Sequence, residues 1–268
     1  MLTRNQSPLG PVYYTAPLLS ALNVPHGFST RIGGVSPPPF DSLNMGNPQG
    51  VEVQDDYDRI WRNYDLLAES IDAAGRSLVR VHQVHGNQVV LVRRGDDFDS
   101  SARADAIVSD DPARLLSVRV ADCVPILLAA EWGRIVAAVH AGWRGVVAGV
   151  LPAAIDAMER LADRSIRETL AVAIGPCLSR ANFEVGPEVL DAFEGVFRDR
   201  APVQRRDDGK GHVDLVEAVR LQLDRADIPP ENVAAADLCT WDRPDEFFSH
   251  RRDKGRTGRM AAVIAAIG

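Results

Sequence analysis

The sequence predicts an α+β fold, on three observations. One well-marked amphipathic segment is followed by six short runs rich in Val, Ile and Leu. Helical periodicity returns only after them, and two further apolar runs close the chain. Consecutive strands followed by mixed helix and strand argue for segregated α+β architecture rather than a regularly alternating α/β wheel. No composition shift, low-complexity tract or repeat divides the 268 residues. With 46% hydrophobic content the chain can bury a large core without disulfides, so residues 1–268 read as one domain.

Residues 55–74 carry Tyr57, Ile60, Trp61, Tyr64, Leu67, Ala68 and Ile71 at helical spacing, and Gly75 is a natural stop. The period then changes. LVRVHQVH, QVVLVRR, DAIVSD, LLSVRVAD, VPILLAA and RIVAAVH are short and separated by polar or Gly punctuation, which predicts successive strands. Residues 145–162 predict a helix that Pro152 should kink or split. TLAVAIG predicts a buried strand and GPEVLDAFEGVF a short helix. VDLVEAVRLQLDRA predicts a helix with Asp214 and Glu217 as a capping box, and VAAADLCT and RMAAVIAAI predict strands.

Composition excludes several classes of function. The formal net charge is −7, a poor match to duplex nucleic acid, which needs a basic face. No apolar run approaches the roughly 18 residues of a membrane span, and MLTRNQSPLGPVYY has no signal-peptide character, so the expected location is cytoplasmic. Three widely spaced cysteines, Cys123, Cys177 and Cys239, argue against a disulfide framework. The segment SHRRDKGRTGR, residues 249–259, carries five Arg or Lys residues. It reads first as a solvated basic loop, with a local anion site as the alternative.

Reactive side chains concentrate in HQVHG (82–86), ADCVP (121–125) and VHAGWRG (139–145). VPILLAA and RIVAAVH flank a tight Glu131-Trp132-Gly133 connection, which predicts an antiparallel hairpin. With residues 131 and 132 at the turn centre, Cys123 faces His140 directly across the pair, close enough for both to reach one ion. A thiolate and an imidazole suit Zn²⁺ better than Mg²⁺ or Ca²⁺. HQVHG supplies a third ligand, either His82 or His85, since residues three apart on a strand face opposite ways. Three protein ligands leave a fourth position open, the arrangement of a catalytic zinc. A buried cysteine is more often packing, which is the reading for Cys177 and Cys239. The rival for Cys123 is a nucleophile with His140 as its base.

Nine segments in order, HGFSTRIGGVS, SLNMG, QVHG, ADAIVSD, ADCVPILL, AVHAGWRG, AIGPC, NFEVG and FFSHRRDKGRTGRMAAVI, resemble the laccase-domain family. Its bacterial members are the YfiH and YlmD proteins, once called multicopper polyphenol oxidases. The resemblance implies a layered α+β sandwich with a mixed, largely antiparallel sheet and flanking helices. It also implies a zinc-dependent purine nucleoside phosphorylase acting on adenosine, inosine and methylthioadenosine with phosphate, with adenosine deaminase activity. The implied ligands are His85, Cys123 and His140, which chooses His85 over His82.

For an anion site, Arg31 and Arg144 in Gly-containing loops are the candidates, with Arg251 and Arg252 behind them and Asn44 as a partner for sugar or base. For deamination, a metal-activated water would attack C6 of adenine with Asp122 relaying the proton. The implied fold is distantly like that of a deamidase toxin with a Cys–His pair, which keeps an amide hydrolase, on peptidoglycan precursors for example, as the alternative. A non-catalytic metal or nucleoside binder is the third reading. Copper is the alternative metal. Six histidines with no His-X-His pair do not suit a multicopper oxidase.

Overall fold

The computed structural model describes residues 1–48 and 50–268. Six strands form the first sheet: β1 (Thr3–Gln6), β2 (Val12–Thr15), β3 (His26–Ser29), β4 (Ser77–Arg80), β7 (Arg114–Val120) and β15 (Met260–Ile264). They run in the order β1-β2-β3-β15-β7-β4. The second sheet holds β5 (Val89–Val92), β6 (Ala106–Ser109), β8 (Val124–Ala130), β9 (Ile135–Ala141), β10 (Ala171–Ile174) and β14 (Val233–Ala235). Its order is β14-β10-β8-β9-β6-β5. A small third sheet joins β11 (Glu184–Val185), β12 (Val203–Arg205) and β13 (Gly211–Val213). Most pairings are antiparallel; β4–β7, β5–β6 and β10–β14 are parallel.

Alternation along the strands explains how the layers stack. On β8, Val124, Ile126 and Leu128 pack against helices, whereas Leu127 and Ala129 face the first sheet. Strands buried on both faces read as continuous apolar runs, which is why VPILLAA and IVAAVHA show no polar alternation. The helices α3 (Trp143–Ala148), α4 (Val150–Ala162), α5 (Pro187–Phe197) and α6 (Leu215–Arg225) cover the outer side of the second sheet, and α1 (Pro17–Ser20) is a single turn. On the far side, α2 (Tyr57–Ser70) lays Ile60, Tyr64 and Leu67 on Leu115, Ala261 and Val263 of the first sheet. The result is the layered α+β sandwich expected, helix–sheet–sheet–helix. No helix among the described residues is long and apolar enough to cross a membrane.

Three local expectations are corrected. The helix expected over 145–162 breaks at Gly149, which adopts left-handed φ 80° and ψ 40°, and not at Pro152. Pro152 lies in the first turn of α4, where its missing N–H costs no intrahelical bond. The strand expected through residue 85 ends at Arg80, after which His82 makes only an isolated bridge to Arg103. His85 has φ 59°, so strand alternation does not govern where it points. The β8–β9 register also differs, because the turn takes residues 131–134, with Glu131, Trp132 and Gly133 all at positive φ. His140 therefore sits across from Pro125, and Cys123 is its diagonal neighbour. A shift by an even number of residues preserves the face, so both still point toward the first sheet.

Candidate metal centre

His140 lies near the end of β9, fully inside the sandwich, and Cys123 immediately precedes β8. His85 comes from the loop between β4 and β5. The ligand atoms of His85, Cys123 and His140 all lie within 4.8 Å of one another. Cys123 Sγ is 3.9 Å from His85 Nε2, and the two imidazole rings meet edge to face at 4.8 Å between centroids. His82 is exposed and outside this group.

The residue that organises the group, Asp105, was not singled out from the sequence. It precedes β6 and is wholly buried. Its Oδ1 accepts from His140 Nδ1 at 2.8 Å and from the His85 backbone N–H at 2.9 Å. Its Oδ2 accepts from the Gly86 N–H at 2.7 Å and the Val84 N–H at 3.2 Å. One carboxylate therefore fixes the His140 ring, leaving Nε2 toward Cys123, and holds the loop that presents His85. A carboxylate behind a ligating histidine is a recurrent feature of metal sites. The signal available was the acid in DAIVSD, which looked like an ordinary strand boundary.

Gly142 closes the floor. A Cβ there would lie 2.7 Å from His85 Cδ2 and 3.2 Å from Cys123 Sγ. The electrostatics favour a thiolate. Burial raises the Cys123 pKa, but hydrogen bonds and charge from His140 and His85 outweigh it and bring it down to about 6. Burial likewise opposes charging His140, but Cys123 and Asp105 push it up to about 9. Without a metal the pair is a thiolate beside an imidazolium. The donor chemistry fits zinc: one thiolate, two imidazoles and a buried carboxylate that selects the His140 tautomer.

The triad opens into a cavity of about 540 Å³, within the roughly 300–1,000 Å³ range of small-molecule sites. Its wall includes Tyr57, Arg80, Gln83, Arg119, His250 and Arg259. Arg31, Asn44 and Arg144, the residues expected to bind substrate, do not line it. Arg31 pairs with Asp41, donates to the Pro244 carbonyl and lies 4.7 Å from the Phe248 ring. Asn44 is wholly buried; its Oδ1 accepts from the Gly46 and Arg259 N–H groups and its Nδ2 donates to Asp55. Arg144 is exposed and lies over the Trp143 ring. Asp122 accepts from Thr240 Oγ1 and from the Arg251 N–H, both at 2.7 Å, and so anchors the C-terminal loop. Arg252 pairs with Asp253.

A histidine–cysteine–histidine group that could hold one metal ion, beside an open cavity between stacked sheets, defines the class of site. The chain belongs to the family described as multi-copper polyphenol oxidoreductase laccase, whose model matches residues 25–267. It is similar to a purine nucleoside phosphorylase of Bacteroides thetaiotaomicron, 34% identical over 92% of this chain and 93% of that protein. It is also similar to the purine nucleoside phosphorylase YfiH of Escherichia coli, 38% identical over 89% of this chain and 92% of that one. The crystal structure of YlmD from Geobacillus stearothermophilus superposes with a TM-score of 0.87 at 32% identity, covering all of both chains.

Proposed function

We propose that this chain is a zinc-dependent purine nucleoside phosphorylase. It converts adenosine, inosine or methylthioadenosine and phosphate into the free base and the sugar 1-phosphate, and it also deaminates adenosine. The observation that carries the reading is the convergence of His85, Cys123 and His140 on one cavity wall, in a chain whose relatives bear the phosphorylase name. His85, Cys123 and His140 would hold the zinc. Bound zinc supplies a Lewis acid that draws electron density from a coordinated atom.

The chain's own residues supply the rest. Asp105 holds both histidines in place before any ligand arrives, which lowers the cost of assembling the site. The cavity walls take the nucleoside out of bulk water. In phosphorolysis a phosphate oxygen bonds to the sugar anomeric carbon as the bond to the purine nitrogen breaks. The electron pair leaves with the base, which takes up a proton. The cationic wall of Arg80, Arg119 and Arg259 favours the anionic co-substrate.

Zinc is the better metal for a single thiolate–imidazole site, and copper-dependent phenol oxidation is the weaker alternative. The lowered Cys123 pKa beside His140 supports a second reading, a Cys–His amide hydrolase. Metal content and adenosine turnover measured on one sample, with and without phosphate, separate the two. Near-stoichiometric zinc, with adenine released only when phosphate is present, is the expected result, and inosine would report the deaminase. Metal-free protein that ignores adenosine even after zinc is added would sink the phosphorylase, and iodoacetamide sensitivity with chelator resistance would favour the hydrolase.

A further inference from the structure

The cavity's basic wall has no matching acid. Arg119 is on β7 and Arg259 directly precedes β15, which pairs Ala261 with Arg119 and Met260 with Val120. Arg259 therefore falls across from Ala121, on the same face of the sheet as Arg119. The two side chains project from adjacent strands into one cavity. Among the described residues, neither guanidinium has a carboxylate within ion-pair distance. Arg119 makes one contact of 3.3 Å to the Val81 carbonyl, and Arg259 donates to the Thr257 and Gly258 carbonyls at 3.0 Å each.

The backbone of each arginine is held in place. The backbone of Arg119 is clamped by Gln83, whose Oε1 accepts from the Arg119 N–H at 2.9 Å and whose Nε2 donates to its carbonyl at 2.8 Å. Gln83 thereby takes the place of β4, which ends at Arg80. The Arg119 side chain lies against the Gly46 backbone, where an added Cβ would come within 2.9 Å of its Cδ. Arg259 is fixed through Asn44 at 2.9 Å. Burial lowers the pKa of both arginines; the charge of Arg119 lowers it further in Arg259, and the charge of Arg80 lowers it further in Arg119. Asp122 and Cys123 are the anionic groups whose charge reaches Arg259. Asp122 is already engaged by Thr240 and Arg251, and Cys123 belongs to the donor triad.

Burying like charges together without a counter-ion is costly, and an anion from outside relieves it. Two planar guanidiniums with free N–H groups match a tetrahedral oxyanion better than a carboxylate or an apolar group. We propose that Arg119 and Arg259 form the binding subsite for inorganic phosphate, in place of the loop arginines the sequence pointed to. This assignment rests on the phosphorylase reading for its ligand, but its geometry stands on the two arginines. The phosphoryl group of a nucleoside monophosphate shares the same chemistry and is the competing source.

The test titrates orthophosphate and, separately, adenosine monophosphate into zinc-loaded protein by calorimetry, and measures phosphate KM in adenosine phosphorolysis. Arg119→Gln and Arg259→Gln should each weaken orthophosphate binding at least tenfold and raise the phosphate KM to match, with adenosine KM within about twofold. Arg119→Lys and Arg259→Lys, which keep the charge, should lose less, and zinc stoichiometry and circular dichroism establish that each variant is folded. Orthophosphate binding unchanged in all four variants would overturn the assignment, as would adenosine monophosphate binding far more tightly than orthophosphate and losing that advantage in the Gln variants. If wild-type protein releases adenine with phosphate while the variants keep its KM, the subsite fails and the phosphorylase stands. If orthophosphate binds through these arginines but no adenine appears, the subsite stands and the phosphorylase fails.

Discussion

Asp105 and His140 are joined twice: the carboxylate Oδ1 accepts from the imidazole Nδ1 at 2.8 Å, and the Asp105 carbonyl accepts from the His140 N–H at 2.7 Å. The same carboxylate takes the backbone N–H groups of Val84, His85 and Gly86. Two of the three candidate metal donors, from distant parts of the chain, thus depend on one acid.

Replacing that acid should therefore cost metal before it costs anything else. Asp105→Asn is expected to weaken zinc about 10–100-fold, read by competition with a chromogenic chelator. Asp105→Ala leaves three partly buried N–H groups and the buried His140 imidazole unpartnered and should also lose roughly 2–4 kcal/mol of stability, read by denaturant unfolding. Zinc affinity equal to wild type in both variants would remove Asp105 from the centre.

Gly142 is the second constraint. Alanine there places a methyl against the His85 ring and the Cys123 sulfur. His85 is the exposed member of the triad and the one free to give way. Gly142→Ala should reduce zinc affinity at least tenfold with little change in Tm, because the displaced ring moves toward solvent.

Thiol chemistry gives a third. At pH 7 in metal-free protein, a Cys123 pKa of about 6 leaves most of the thiol ionised, whereas burial pushes Cys177 far the other way. Iodoacetamide should label Cys123 roughly ten times faster than an ordinary thiol and leave Cys177 untouched. Labelling should slow as pH falls through about 6, and zinc should protect. Equal labelling of Cys123 and Cys177 would contradict the thiolate assignment.

Glu246 provides a stability test away from the metal. Burial alone would raise its pKa, but hydrogen bonds from Arg4, Arg243 and Tyr14 hold it below the usual carboxylate range. A folded pKa below the unfolded value contributes stability that is present above the unfolded pKa and lost as pH falls through the folded one. Tm of the wild type should therefore drop more steeply below about pH 4.5 than that of Glu246→Gln.

Much of this was legible in the sequence, for identifiable reasons. β8 and β9 announce themselves because both faces are buried, and α6 because Asp214 caps it through the Glu217 N–H at 2.9 Å. The face shared by Cys123 and His140 survived an error in turn length because the shift was even. The short strands β1, β2, β3 and β11 to β13 passed unnoticed, since two to four residues carry too little periodicity to read. The cavity arginines were missed for a different reason. Arg119 and Arg259 look like ordinary polar positions at strand ends, and only the pairing of β7 with β15 sets them side by side.

Asn44 tests that last distinction most sharply. The sequence offered it as a partner for sugar or base, but its amide is wholly buried and fully engaged with Gly46, Asp55 and Arg259. Asn44→Ala would leave two N–H groups and a carboxylate oxygen without their partner, a loss of roughly 2–4 kcal/mol. For a chain of this size that lowers Tm by roughly 5–10 °C. Because Asn44 fixes the backbone of Arg259, the phosphate KM should rise severalfold at a temperature where the variant is still folded, while the adenosine KM holds. A residue in contact with the nucleoside would behave the opposite way, raising the adenosine KM with Tm unchanged, and that outcome would return Asn44 to the substrate.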